Sequence, residues 1–314
     1  MKKWMKILLS ILAGLVLLLL LGAAYVNYSP VPTYKLATPT IEVPTDSASI
    51  ARGEHLTALS CALCHRGKSG QAMEGGPWRE KDLGDLYVAN LTNHSNSALS
   101  QYSDEELALL LRTGVKRNGE VALVMPRYAQ MSDEDLGSII AFLRSDAPMT
   151  APSDKQWPER EINYLAKLLT KIAIKPLPYN EGVAPPSFDD KVAHGRYLAQ
   201  NLACYHCHSA NFATLNEYEP EKSEGYFGGG NLILKKDGSE KIPASNLTPH
   251  ADYGLGRYDQ ASFGQAVRYG KGLNGKNLDH SMPRFTNLSD QEVEALWAYL
   301  QTLPVIENQI AAAE

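Results

Sequence analysis

The pattern of apolar and polar positions separates an N-terminal apolar segment from a longer region of short amphipathic helices. Residues 7–26 contain no charged side chain, and lysines at positions 2, 3 and 6 precede them. A helix of this length spans about 30 Å, which matches the hydrocarbon core of a bilayer. Positive charge before such a helix favours a cytoplasmic N-terminus and an external remainder. We therefore predict a transmembrane anchor over residues 1–27.

A cleaved signal peptide is the alternative for this segment, because residues 22–24 are small enough for a signal peptidase. The apolar core of a signal peptide usually has about 7 to 15 residues, so the longer run favours an uncleaved anchor. Residues 28–45 contain four prolines and show no helical period. They are predicted to form an extended spacer that holds the first domain off the membrane.

Residues 46–147 show the pattern of a small helical domain. A helix is predicted near residues 48–59. Ser103 then begins a capping box before a second helix, which Gly114 ends. Ser132 is predicted to cap a last helix that carries apolar residues at helical spacing.

The same order of helices and motifs returns in residues 188–304, so the chain contains an internal repeat. Helices are predicted near residues 193–202 and 260–269, and Gly270 ends the second of these. Ser289 is predicted to cap the last helix. Two similar domains in tandem are therefore expected.

The second domain carries an insertion at residues 228–238, whose glycines and Asp-Gly pair predict a small surface hairpin. Between the domains, residues 148–187 contain seven prolines and one patch of apolar residues at helical spacing. We interpret this patch as a strap packed across both domains, and a helix on the membrane surface is the alternative. Residues 305–314 are predicted to be a tail.

Composition narrows the class of protein. The chain has 314 residues, which is enough for two ordinary domains with their own cores. It contains 30 basic and 35 acidic residues, and no basic stripe is present. A nucleic-acid partner is therefore not expected.

All four cysteines fall in two copies of one motif, Cys-x-x-Cys-His, at residues 61–65 and 204–208. This is the attachment motif of c-type haem, in which both thiols bond to the porphyrin and the histidine binds the iron. A zinc site would need two cysteine pairs at one ion, and a thioredoxin-like pair would not need the histidine. The sequence therefore predicts two covalently bound haem c groups, held by Cys61, Cys64, Cys204 and Cys207, with His65 and His208 as proximal ligands. Attachment of haem c takes place outside the bacterial inner membrane, so a periplasmic location is expected.

The second axial ligand of each iron decides the chemistry. A thioether closes the iron and raises its potential, as in electron carriers, whereas an open iron permits reaction with peroxide. Met282 is the only methionine after Met149, and His280 is its possible competitor. The repeat aligns Met282 with Met125, each in a Met-Pro-Arg segment, so both are predicted to be ligands.

Two other methionines of the first domain are less suitable as ligands of the haem iron. Met131 aligns with Leu288 and is predicted to be a core residue. Met73 follows His65 too closely to reach the opposite face of the iron easily.

Residues 46–304 resemble two tandem class I cytochrome c domains. The repeated Asn-Leu-Thr, Arg-x-Gly and Met-Pro-Arg elements resemble the multihaem cytochrome subunits of periplasmic alcohol and sugar-acid dehydrogenases. The resemblance implies an all-α fold with His/Met haems, and it implies that the carbonyl of Pro77 accepts the second ring proton of the proximal histidine. Such subunits commonly carry three haems, whereas this chain has two motifs. Arg127 and Arg284 are either partners of haem propionates or surface charges.

We interpret the chain as a membrane-tethered dihaem cytochrome c on the periplasmic face of a bacterial inner membrane, and not as an enzyme. It is expected to take single electrons from a quinol-oxidising complex or dehydrogenase and to pass them to an oxidase or a soluble carrier. One alternative is a permanent cytochrome subunit of a dehydrogenase or oxidase complex. A dihaem peroxidase is a further alternative, against which the two Met-Pro-Arg segments argue.

Overall fold

The computed structural model of the protein describes residues 2–67 and 70–310, so Met1 and part of the predicted tail at 305–314 lie outside it. Helix α1 (Lys3–Tyr28) is long and apolar enough to cross a membrane, and it is the one such helix among the described residues. Its side chains are exposed along almost its whole length. A lipid environment would suit this helix, and a signal sequence near an N-terminus would meet the same criteria of length and composition.

The predicted spacer is extended, but it lies along the first domain. The backbone N–H of Tyr34 donates to the carbonyl of Gly119 at 2.7 Å, and Ile41 and Val43 pack against the first hydrophobic core. Alternating apolar side chains in an extended segment point to the same face, so two of them can be buried together. Parts of residues 28–45 therefore pack against the first domain, and the role of this segment as a spacer stays a prediction.

Four α-helices form the first domain among the residues that the structure describes, and predicted capping residues set ends of the last two. The Ser103 hydroxyl accepts from the N–H of Glu106, and the Glu106 carboxylate accepts from the N–H of Ser103. Gly114 ends the same helix with φ of +79°, and the Ser132 hydroxyl caps the last one. The helices are α2 (Ser47–Leu59), α3 (Ala62–His65), α4 (Asp104–Thr113) and α5 (Asp133–Leu143).

The loop after α3 contains three short strands, β1 (Gly76–Pro77), β2 (Gly84–Asp85) and β3 (Tyr87–Val88). Strand β1 pairs with β3, and β2 pairs with β4 (Glu161–Ile162) of the linker. Both pairs are antiparallel. They fix the loop that follows the first haem motif.

The linker does not cross both domains with its helix. Helix α6 (Tyr164–Ile172) packs beside the C-terminal end of α1. Farther along, the side-chain oxygen of Asn180 accepts from the hydroxyl of Tyr218 in the second domain at 2.9 Å. The strap predicted for the apolar patch is therefore wrong, and a contact with the second domain is made instead by the linker near Asn180.

The second domain repeats the first and confirms the predicted hairpin. Strand β5 (Leu232–Leu234) pairs with β6 (Lys241–Pro243) in the insertion. Gly270 has φ of +67° and ends a helix, as Gly114 does in the first domain. The helices are α7 (Lys191–Asn201), α8 (Cys204–His208), α9 (Gln260–Tyr269) and α10 (Asp290–Leu300).

The all-α prediction therefore describes the helical scaffold but omits three two-stranded sheets. These strands are two or three residues long and lie within loops. Strands this short leave too little periodicity in a sequence to be recognised. The fold is mostly helical.

A glycine in the opening helix of each domain allows the first and last helices to touch. A Cβ added to Gly53 of α2 would lie 1.9 Å from the carbonyl oxygen of Ser138 in α5. A Cβ added to Gly195 of α7 would lie 1.9 Å from the carbonyl oxygen of Ala295 in α10. No side chain fits at these distances, so each domain is held together by direct backbone contact between two helices.

The contacts between the two domains are reciprocal. Nε2 of His55 in α2 lies 2.8 Å from Oε1 of Glu292 in α10. The hydroxyl of Tyr197 in α7 donates to Oδ2 of Asp135 in α5 at 2.7 Å. Each carboxylate is the third residue of the last helix of its domain. Equivalent elements therefore meet across an approximate twofold axis.

Arg52 joins the two halves of this interface. Its guanidinium donates to both carboxylate oxygens of Asp135 at 2.8 and 3.0 Å, and it lies 3.7 Å from Glu292. Leu59, at the end of α2, is buried in the core of the second domain. The interface thus combines hydrogen-bonded and ion-paired groups, with buried carboxylates, and a shared apolar contact.

Candidate haem-binding motifs

One helical turn holds each Cys-x-x-Cys-His motif. In the first motif, the N–H of His65 donates to the carbonyl of Cys61 at 2.9 Å, at the start of α3. In the second motif, Ala203 precedes α8 in the left-handed region with φ of +53°. A helical turn brings residues three and four apart to the same face, so both thiols and the histidine of a motif share one side.

The state of the cysteines argues against the two alternatives. The four thiols form no disulfide. Burial raises the pKa of Cys204 to about 12 and that of Cys207 to about 11, and it also raises the pKa of Cys61 and of Cys64. A thioredoxin-like pair needs a lowered thiol pKa. Among residues 2–67 and 70–310, no group of three or more His, Cys, Asp or Glu side chains is placed to hold a zinc ion.

Each proximal histidine is oriented by a backbone carbonyl. Nδ1 of His65 donates to the carbonyl oxygen of Ala89 at 2.9 Å, and Nδ1 of His208 donates to that of Ser245 at 2.7 Å. Because Nδ1 carries the proton, Nε2 keeps its lone pair for a metal. Burial lowers the pKa of both rings, which favours the neutral form that binds iron. The residues present therefore fit a haem iron in both domains.

These carbonyls correct the role expected of Pro77. The structure pairs Pro77 in β1 with Tyr87 in β3 and leaves the proline exposed. Ala89 follows β3 directly, so the same pair of strands presents its carbonyl to the histidine instead. Pro220 follows His208 at the same spacing as Pro77 follows His65. It begins a tight turn, in which its own carbonyl accepts from the N–H of Ser223 at 3.0 Å.

The repeated Asn-Leu-Thr element explains the position of these carbonyls. The side-chain oxygen of Asn90 accepts from the N–H of Thr92 at 2.9 Å and from its hydroxyl at 2.8 Å. Asn246 and Thr248 make the same two bonds at 2.8 and 2.7 Å. Both asparagines are buried. The residue before each asparagine is thereby fixed as the partner of the histidine, a signal that sequence reasoning missed.

The predicted methionine ligands occupy equivalent places. Met125 is half-buried and packs against the core cluster that contains Cys61, and Met282 packs likewise against the core of the second domain. Met131 is buried in the first core, as predicted. Met73 is also fully buried there. Coordination of iron by Met125 and Met282 stays a prediction.

The two arginines have different protein partners. Arg127 donates to both carboxylate oxygens of Glu217 in the second domain at 2.8 and 2.6 Å, and to the carbonyl of Lys175. Arg284 donates to the carbonyls of Met282 and Leu278, each at 2.6 Å. Arg127 therefore joins the domains and Arg284 holds the loop of its own methionine. Contact with haem propionates stays a prediction for both.

The segment that follows the predicted methionine ligand of the first domain contacts the second domain. Besides the ion pair of Arg127 with Glu217, Nε2 of Gln130 donates to the carbonyl of Tyr218 at 2.9 Å. Tyr128, between these two donors, is buried. This segment therefore joins the first domain to the loop that follows the second motif.

Comparisons with known proteins agree with this geometry in both domains. Residues 48–143 match the family model described as cytochrome c oxidase, cbb3-type, subunit III. Residues 192–304 match the model described as cytochrome c.

Relatives of known identity fall into two groups. The chain is 31% identical over 277 residues to the gluconate 2-dehydrogenase cytochrome c subunit of Pantoea cypripedii, covering 82% of this chain and 60% of that protein. It is 30% identical over 287 residues to the fructose dehydrogenase cytochrome subunit of Gluconobacter japonicus, covering 85% and 56%. It is 28% identical over 320 residues to a protein of Cereibacter sphaeroides named diheme cytochrome c-type, covering 95% and 99%. The chain thus spans little more than half the length of the two dehydrogenase subunits.

Proposed function

Because this chain is a c-type cytochrome with two covalently bound haems, similar to the cytochrome subunits of gluconate and fructose dehydrogenases, we propose that it is the electron-transfer subunit of a dehydrogenase complex. The complex would lie on the periplasmic face of a bacterial inner membrane, with α1 as its anchor. The catalytic subunit would be a separate polypeptide that oxidises an alcohol, a sugar or a sugar acid. This corresponds to the alternative raised by the sequence, and the relatives favour it over transfer from a quinol-oxidising complex to an oxidase.

One observation carries this proposal. In each domain the histidine of the motif is oriented by a hydrogen bond to a backbone carbonyl, and reciprocal contacts join the two domains. Each haem iron, when bound, takes up and releases one electron by cycling between its ferrous and ferric forms. His65 and His208 would supply Nε2 to the iron, and Met125 and Met282 would supply sulfur ligands. Those ligands would exclude water and small molecules, which suits electron transfer and not peroxide chemistry.

The reciprocal interface supports transfer between the two haems. Its charge pairs and its shared apolar contact hold the motifs at a constant separation. Tyr128 in the first domain and Tyr205 within the second motif are both buried, which keeps water away from their surroundings. Electrons would therefore enter at one domain and leave from the other without a movement of the domains.

The test is isolation of the tagged chain from its native membranes in mild detergent. We expect a dehydrogenase subunit to accompany it, and we expect the substrate of that subunit to reduce both haems, as seen in the visible spectrum. A chain that purifies alone and is reduced only by soluble donors would contradict the proposal.

A free dihaem carrier is the second candidate, and one observation favours it. The match to the Cereibacter sphaeroides dihaem cytochrome covers nearly all of both chains. The same purification distinguishes the two candidates, because a free carrier would be extracted by the detergent without a fixed partner.

A further inference from the structure

Helix α6 exposes an apolar face, which is unusual for a helix in water. Tyr164, Leu165 and Ile172 are 46%, 47% and 66% exposed, whereas Ala166 and Thr170 are 0% and 4% exposed. At 100° per residue, the three exposed side chains fall on one side of the helix and the two buried ones on the other. A soluble helix buries its large apolar side chains and exposes polar ones. Here three large apolar side chains are exposed, and the two buried side chains are small.

The helix also lies at the end of the apolar helix α1. Nζ of Lys167 donates to the carbonyl of Asn27 at 3.0 Å, and Nζ of Lys171 donates to the carbonyl of Pro30 at 2.8 Å. The ammonium of Lys171 also lies 5.5 Å from the centre of the Tyr25 ring. The two lysines thus bind carbonyl groups in and just after the last turn of α1, where the negative end of the helix dipole favours cations.

The level of α1 in a bilayer fixes the level of α6. Tyr25 and Tyr28 are 66% and 84% exposed, and tyrosines at the end of a spanning helix lie among the lipid headgroups. Direct bonds to residues 27–30 place α6 at the same depth. We propose that α6 lies flat in the outer interface of the bilayer, with Tyr164, Leu165 and Ile172 in contact with lipid.

A lipid surface fits these observations better than a protein partner. An exposed apolar face on one side, lysines beside it and a position at the headgroup level are the properties of an interfacial amphipathic helix. The inference rests on the proposed anchoring of the chain by α1.

The consequence is a second membrane contact that sets the orientation of the protein. One spanning helix leaves rotation and tilt of the attached domains free. Helix α6 is tied to α1 by Lys167 and Lys171 and to the first domain by the pairing of β4 with β2. The first haem domain is therefore held at a fixed angle to the bilayer.

The test uses the full chain with its haems, in the membranes of the producing cell. The photoreactive residue p-benzoylphenylalanine replaces Leu165 in α6, Leu15 in α1 or Leu232 in the surface hairpin β5, one position at a time. The three side chains are 47%, 54% and 56% exposed, so the replacements are matched and do not disturb the cores. The visible haem spectrum checks that each variant is assembled.

We expect mass spectrometry after illumination to find lipid added to the peptides that carry positions 15 and 165, and none on the peptide that carries position 232. Lipid at position 15 without lipid at position 165 would overturn the inference and leave the anchor intact. A cross-link from position 165 to another polypeptide would overturn it in favour of a protein partner. Absence of lipid at position 15 would overturn the anchoring as well as the inference.

Discussion

At the scale of single residues, the site is defined by which atoms are left free for a metal. The carbonyls of Ala89 and Ser245 take the Nδ1 protons of the two histidines and leave both Nε2 atoms available. The motif itself was evident from the order of residues, because the covalent chemistry of haem requires it. The carbonyl acceptors were not evident. A backbone oxygen has no sequence identity, and its position depends on the short sheet of β1 and β3 and on the Asn-Leu-Thr turn.

Replacement of the predicted sulfur ligands gives the first prediction. Met125→Ala and Met282→Ala should each remove about half of the sulfur–iron absorption band in the near infrared, because each affects one of two haems. Each should also lower the potential of the affected haem. Spectra of the oxidised protein and a redox titration measure both effects.

Met131→Leu is the matched control, since Met131 is a buried core residue of similar volume. It should leave the band unchanged. A full band in both Met125→Ala and Met282→Ala would contradict the ligand assignment.

At the scale of elements, helix ends could be predicted and helix contacts could not. Ser103, Ser132 and Ser289 begin helices as their side chains require, and Gly114 and Gly270 end helices at positive φ. Such signals are local, so they survive in the sequence alone. Helix α6 contacts α1, which lies far away in the sequence. The helical spacing of the apolar residues in α6 does not specify which surface covers them.

The second prediction concerns Gly53 and Gly195, the glycines at which the first and last helices of each domain touch. Gly53→Ala and Gly195→Ala should each lower the free energy of unfolding by about 1–3 kcal/mol, because the added methyl group forces two helix backbones apart. Thermal unfolding of the holoprotein measures the change.

Gly264→Ala in α9 is the control, because its Cβ would meet only a side-chain methyl group, Cγ1 of Val293 at 3.3 Å, and no backbone atom of another helix. It should be neutral or stabilising by up to about 1 kcal/mol, since alanine favours helix. Equal losses at all three glycines would mean that the backbone contact is not the cause.

The ion pair between Arg127 and Glu217 gives the third prediction. Burial alone would raise the pKa of the Glu217 carboxyl, but the hydrogen bonds and charge of Arg127 lower it below the ordinary value of 4.5. A carboxyl whose pKa is lower in the folded state contributes its full stability above the ordinary value and loses it as the pH falls through the folded value. The domain interface should therefore weaken by about 1–3 kcal/mol in acid.

Chemical unfolding at neutral pH and in acid measures this loss, and Glu217→Gln should remove it. Glu219→Gln is the control, because Glu219 pairs with Lys222 at the exposed surface and should contribute little. An unchanged pH dependence in Glu217→Gln would contradict the role given to the pair.

At the scale of the whole molecule, charge determines how partners approach. Acidic residues outnumber basic ones by 35 to 30, and haem propionates add further negative charge. Association with a partner should therefore be steered by basic groups on that partner and screened by salt. Two domains and their order could be predicted from the repeat, whereas their reciprocal contact could not, because it depends on residues far apart in the chain.

The fourth prediction follows from this charge. Oxidation of the reduced protein by a basic soluble cytochrome c should slow by about tenfold when the ionic strength rises from about 0.01 M to about 0.2 M. Stopped-flow spectroscopy measures the rate. Oxidation by an uncharged small molecule is the control and should not change, and equal salt dependence for both acceptors would contradict electrostatic steering.

The reciprocal contact between the domains has a consequence for the origin of the protein. Two identical copies of one domain that associate about a twofold axis make each contact twice, as α2 with α10 and α7 with α5 do here. Duplication and fusion of a self-associating, single-haem ancestor would produce this arrangement directly. The His55–Glu292 and Tyr197–Asp135 contacts are then two descendants of one ancestral subunit contact, which diverged in chemistry while keeping their place.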